Sequence, residues 1–205
     1  MEAPLYGADV HGSLFLSKQE RFKTDLAALL DNPDALSGPV PLQEAWNLGR
    51  LPNLLALHPH DITGVTTPML YFGMAGALFA WHVEDAQLAS INFLHRGAPK
   101  MWYAVAPSDA RRFEYIAASC FPEDQMQCSE YLRHKTSLLS PSFLAKQGIR
   151  LARVLQHRGE FVITSPGSYH CGFNMGFNVA EAINFATPEW IPRGIAARRC
   201  LCAAH

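Results

Sequence analysis

Three side chains in this sequence have the types needed to hold a metal ion while leaving it open to reactants. His82 and Glu84 stand two residues apart in AWHVED (80–85). In extended backbone, residues i and i+2 point to the same side, so the imidazole and the carboxylate project together and one cation can bridge them. Two histidines and one carboxylate on one face of an octahedron hold non-haem Fe(II) and leave the opposite face for a cosubstrate and oxygen. The third ligand has to come from a distant strand. His170, in SPGSYHCGFNMGFN, follows a strand and a Pro-Gly turn and is the candidate. Taken alone, His-x-Glu describes equally well a partly buried histidine bonded to a nearby carboxylate.

Cysteine offers a second set. Cys200-x-Cys202 supplies two thiolates, and Cys128 and His134 in CSEYLRH could supply the other pair of a tetrahedral Cys₃His zinc site. Free thiols would account for the bare Cys-x-Cys as well, since zinc sites more often space their cysteines by two residues. Cys120 and Cys171 have no partner in this scheme and read as ordinary thiols. Lys100, in GAPKMWY, enters a strand between apolar neighbours, where an unpaired charge is costly; at a strand end it would simply be solvated.

The elements that must position these groups are mostly strands. MLYFGMAGALFAWHVE is aromatic and broken by glycines, and LASINFLHRG alternates, with Ser90, Asn92 and Leu94 on one face and Ile91 and Phe93 on the other. PKMWYAVAP, GEFVITSP and FNVAEAINFA read as further strands. PSDARRFEYIAAS reads as a helix capped by Ser108, and SPSFLAKQG as a short one with Ser140 as cap, Pro141 in the first turn and Gly148 as stop. Residues 18–31 read as another helix, followed by a turn-rich connector. Many short strands with a few peripheral helices predict a barrel or sandwich.

The totals agree with a globular protein. Of 205 residues, 49% are hydrophobic and 17% charged, enough for a real core, and the net charge of −1 gives no pull toward nucleic acid or an anionic membrane. No apolar run is long enough to span a bilayer. The N-terminus lacks a basic segment followed by an apolar one, so no signal peptide is expected and the thiols are expected to be free or metal-bound.

Seven stretches, in order, resemble one family: YGADVHGSLF (6–15), WNLGRL (46–51), GVTTPMLYFGM (64–74), FAWHVEDAQLASINFLHRGAPKMWYAVAP (79–107), LRHKTSLLSP (132–141), GEFVITSPGSYHCGFNMGFNVAEAINFAT (159–187) and CLC (200–202). They resemble the JmjC-domain 2-oxoglutarate oxygenases, most of all the JmjN/JmjC histone lysine demethylases acting on trimethyl-lysine of the histone H3 tail. The resemblance implies a mainly β fold, a double-stranded β-helix (jelly-roll, cupin-like) core with peripheral α-helices. It implies one JmjC catalytic domain over 1–205, a helical or loop insertion over 16–45, and zinc-clip segments at 128–134 and 200–202.

The resemblance also implies the site. His82, Glu84 and His170 would hold Fe(II), with Lys135 near the oxygen-binding side. Tyr6, Asn92 and Lys100 would bind the far carboxylate of 2-oxoglutarate, and Trp102 would line its pocket. Asn174 would be a neighbour of the iron site at most. Cys128, His134, Cys200 and Cys202 would hold a structural Zn(II). Gly64, Tyr71, Ala182, Ile183 and Asn184 would surround the methylated lysine, and Asp9 would contact the peptide beside it. The implied reaction is oxidative demethylation with O₂ in a histone H3 tail. The implied setting is chromatin in the nucleus, with no membrane partner and no direct sequence-specific nucleic-acid binding.

Departures from the family pattern fall on the peptide side. Ala182 and Ile183 stand where several members carry Ser-Thr, Met69 replaces an aromatic residue, and Thr63 replaces an acidic one. The segment between Phe15 and Trp46 is longer than in the relatives. No JmjN segment upstream of Tyr6 and no reader domain after Cys202 are expected. Two rival readings share the residues: a JmjC protein hydroxylase, and a catalytically silent JmjC module that binds chromatin or other proteins. The second usually lacks an iron ligand, and all three are present.

Overall fold

The computed structural model describes residues 4–15, 46–200 and 202. The helix expected over 18–31 and the insertion expected over 16–45 lie outside them. Two antiparallel sheets carry the fold. The larger runs in the order β1 (Gly7–His11), β2 (Met69–Gly73), β9 (Asn178–Phe185), β4 (Ala89–Gly97), β7 (Phe161–Thr164). The smaller runs β3 (Leu78–His82), β8 (His170–Asn174), β5 (Lys100–Val105), β6 (Leu151–Gln156). Among the described residues four short α-helices lie outside the sheets: α1 (Ala110–Cys120), α2 (Pro122–Gln127), α3 (Pro141–Lys146) and α4 (Ile191–Ala196). This is the expected mainly β, jelly-roll arrangement with peripheral helices.

Strand alternation sorts the side chains. The β4–β9 ladder pairs Ser90 with Asn184 and Asn92 with Ala182 on one face, and Ile91 with Ile183 and Phe93 with Glu181 on the other. The second face is closed by Leu48, Phe15 and Phe161. Behind the smaller sheet, Phe113, Ile116 and Ala117 of α1 pack on Trp81, Tyr169 and Leu144. Apolar packing therefore lies on the outer faces, and the polar faces of the two sheets are left to line the interior.

The start of α3 follows the sequence reading. Ser140 Oγ accepts the Phe143 N–H at 3.1 Å, Pro141 begins the helix, and Gly148 ends it at φ 76°. Ser108 does not cap α1. Pro107 starts a 3₁₀ turn over Pro107–Asp109, so the helix proper begins at Ala110, and the Ser108 hydroxyl lies 3.5 Å from Arg150 Nη2. The sequence reading also passes over β8. Its HCGFN holds no alternation and contains Gly172, where a Cβ would collide with the Met101 carbonyl and the Phe79 ring; glycine is there because neighbouring groups approach closely.

Candidate active site

His82 ends β3 and His170 begins β8, and the ladder sets them directly opposite each other, ring centroids 4.3 Å apart. The register shifts between Phe79 and His82. That bulge inserts one residue on β3, which turns both Phe79 and His82 toward the same cavity. Glu84 lies past the strand, capping a 3₁₀ turn over Asp85–Gln87, yet its backbone stays extended at φ −63°, ψ 155°. The period of two continues beyond the ladder and delivers its carboxylate beside the rings. Glu84 Oε1 is 3.4 Å from His170 Nε2, and one ligand atom from each of the three residues lies within 4.8 Å of the others.

Each imidazole is aimed by its other nitrogen. His82 Nδ1–H donates to the Ala80 carbonyl at 2.8 Å, and His170 Nδ1–H donates to that of Ser168 at 3.0 Å. That leaves each Nε2 turned toward the other ligand atoms, the nitrogen a metal takes. Burial, with His170 adding to it, pushes the His82 pKa down to about 3. Burial alone would raise the Glu84 carboxyl; the hydrogen bond and charge of His170, the charge of His82 and a hydrogen bond from Asn184 outweigh it and hold the group well below the usual carboxylate range. The set is an ionised carboxylate beside two aimed imidazoles on one side of an open cavity, which fits Fe(II).

All fourteen residues expected to hold iron, 2-oxoglutarate or substrate line one cavity of about 170 Å³. Lys100 is 1% exposed. Its Nζ donates to Asn174 Oδ1 and stands 5.6 Å from the Phe79 ring centroid and 5.7 Å from that of Tyr6. Burial lowers its pKa to about 8. Tyr6, raised to about 12 by burial, stays a hydroxyl donor. Asn92 Oδ1 accepts from Gln156 Nε2 at 3.2 Å, and Gln156 Oε1 accepts the Trp102 Nε1–H at 2.9 Å, so both cavity residues are fixed by one buried glutamine.

On the other side of the metal cluster, Tyr71 donates to Asp9 Oδ1 at 2.9 Å, with its hydroxyl pKa raised well above the usual range by burial and by Asp9. Ala182 and Asn184 face the cavity, and Asn184 Nδ2 also donates to the Ala89 carbonyl. Gly64 lies in a turn at φ 76°, with Met69 against it. Lys135 is exposed, in left-handed backbone at φ 56°.

Two expectations change. Ile183 reaches the cavity, but it pairs with Ile91 and packs with Leu48 on the outer face; strand alternation leaves only its backbone for the cavity. Asn174, expected beside the iron site at most, is not among the residues that line the cavity. It ends the strand that His170 begins and, fully buried, anchors Lys100 while also bonding Ala77 and Asn178. The sequence reading missed Phe79, which stands 4.8 Å from the Trp102 ring, and Ser90, bonded to Thr164 at 2.6 Å. Ser90 shares a face with Asn92 in the alternating text, a signal that was there to read; Phe79 depends on the bulge and has none.

Cys128, His134, Cys200 and Cys202 form the second cluster, one ligand atom from each within 4.8 Å of the others. Cys200 Sγ is 3.3 Å from His134 Nε2 and 3.6 Å from Cys128 Sγ. The Cys202 backbone N–H, then His134, pull the Cys200 thiol down to about 6, so one thiolate is present at neutral pH. Three sulfurs and an imidazole nitrogen suit tetrahedral Zn(II).

The family described as "JmjC domain, hydroxylase" matches residues 69–185. The chain is 46% identical to lysine-specific demethylase 4D of Rattus norvegicus over 98% of its own length and 36% of the relative's. It is 45% identical to probable lysine-specific demethylase 4F of Homo sapiens (97% and 28%) and 44% identical to lysine-specific demethylase 4B of Mus musculus (98% and 17%). It thus spans little more than a third of the length of the relatives it matches, or less.

Proposed function

This chain belongs to the JmjC-domain family, and from that premise we propose that it demethylates N-methylated lysine, tri- or dimethyl, in the histone H3 tail. The observation that carries the reading is one cavity with two ends: an aimed His-Glu-His set at one, and a buried lysine with no acidic partner among the described residues at the other. With Fe(II) bound by His82, Glu84 and His170, 2-oxoglutarate and O₂ would supply oxidation of an N-methyl C–H bond, the cosubstrate leaving as succinate and CO₂. The N-hydroxymethyl product, its hydroxyl on the oxidised carbon, breaks its C–N bond to give formaldehyde and a lysine with one methyl fewer.

The chain's own residues bind and orient. Lys100, with Tyr6 and Asn92, pairs the far carboxylate of the cosubstrate, and a charge partner brought into a buried site makes a strong, directional contact. Phe79 and Trp102 wall that end and keep water from it. A trimethylammonium has no N–H to donate, so it is held by oxygens against its polarised methyls; Tyr71, the Gly64 carbonyl and Asn184 offer them. Asp9 suits an arginine-rich tail. Zn(II) on the cysteine cluster would tie residues 200–202 to 128–134. The substrate class puts the protein in the nucleus, at chromatin.

The family description names hydroxylases, which makes stable hydroxylation of a side-chain carbon the second reading. Mass spectrometry of mono-, di- and trimethylated H3 peptides incubated with iron, ascorbate and 2-oxoglutarate separates the two. Loss of methyl groups with formaldehyde supports demethylation. A retained extra oxygen without formaldehyde supports the hydroxylase. Failure to turn 2-oxoglutarate into succinate marks a silent binding module.

A further inference from the structure

Glu181 is a fully buried carboxylate outside the cavity. It stands on the outer face of the larger sheet, paired in register with Leu70 on one side and Phe93 on the other, and Ile183 and Phe185 follow it along that face of β9. Its Oε2 receives two donors, the Leu14 backbone N–H at 2.9 Å and His95 Nε2 at 2.8 Å, while Oε1 has no partner among the described residues. Two donors on one oxygen fit an ionised carboxylate. A charge buried among apolar side chains is costly and persists where it holds something.

What it holds is the segment after β1. At Gly12, φ 141°, the chain leaves the sheet edge and crosses the outer face over β2. Leu14 then meets Glu181 on β9, and the Phe15 ring lies 5.1 Å from His95 and 5.5 Å from Phe93 on β4. Tyr6 and Asp9, at the other end of this segment, line the cavity. β1 itself is a weak support: it is exposed throughout, its ladder to β2 slips between Gly7 and Val10, and Asp9 sits in left-handed backbone at φ 55°.

We infer that His95 and Glu181 are positioning residues, a latch behind the sheet that keeps Tyr6 and Asp9 over the cavity in front of it. The inference rests on the roles given to Tyr6 and Asp9 above. Glu181→Gln keeps the shape and the oxygen that takes both donors but removes its charge, so both contacts weaken. Amide exchange at Val10 and Leu14 is expected to speed up about tenfold, and KM for 2-oxoglutarate to rise by a similar factor at nearly constant kcat, the fold-change for turning two hydrogen bonds to a charged group into neutral ones. Amides of β4 and β5 should keep their rates. Ile116→Val, in the packing of α1, serves as a control that weakens the fold elsewhere. If Glu181→Gln does not fold, His95→Gln reads the same contact. Unchanged exchange at Leu14 and Val10, or a matching KM rise in Ile116→Val, overturns the latch. Should no variant or parent chain be active, exchange still decides the latch, and it is the proposed function that fails.

Discussion

Replacing Lys100 by methionine should make the metal-free, cosubstrate-free protein more stable while destroying its use for the buried charge. Burial lowers the lysine from the usual 10.5 to about 8. The folded state therefore binds fewer protons than the unfolded one between these values, and wild-type stability climbs through that window. Below about 8 the whole cost is present. At 1.36 kcal/mol per pH unit it amounts to about 3 kcal/mol against folding at neutral pH. Methionine forfeits the hydrogen bond to Asn174 Oδ1, about 1 kcal/mol, although Asn178 Nδ2 still serves that oxygen at 3.0 Å. The balance is about 2 kcal/mol, which for a chain of this size raises the thermal midpoint by roughly 4–8 °C. The assay is thermal unfolding of both proteins from neutral pH to beyond 10.5, with and without 2-oxoglutarate. The gap should close as pH rises, and 2-oxoglutarate should raise the midpoint of the wild type alone. A variant that melts no higher than wild type at neutral pH, or a gap indifferent to pH, refutes the reasoning.

Gly73→Ala pushes a methyl into the Asn174 side chain; overpacking of this kind costs about 1–3 kcal/mol, and because Asn174 anchors Lys100, denaturant unfolding should show the loss together with weaker 2-oxoglutarate binding. Zinc should stay bound at neutral pH and leave as the pH is lowered, because protons compete with the ion for three thiolates and an imidazole; a dye that captures released zinc reports it, and release at neutral pH would count against the cysteine cluster as its holder.

Local chemistry in the text determined a good part of this protein. The pair His82 and Glu84 was legible because extended backbone repeats every two residues, and that geometry holds even where the hydrogen-bonded strand has ended. The alternation of 89–97 was legible for the same reason, and so was the start of α3, where Ser140 and Pro141 act within one turn. The ordered motifs pointed to His170, Lys100 and the cysteines. What tertiary structure alone decided concerns partners far apart in the chain. The β3–β8 register sets His82 against His170, and its bulge brings Phe79 into the cavity; no pattern within either strand encodes an offset between two of them. The face taken by Ile183, the place of Asn174 beneath Lys100 and the crossing that brings Leu14 to Glu181 likewise depend on which strands become neighbours. A ladder joins residues many tens of positions apart, so its register is chosen by the packing of whole faces and not by the residues at either end.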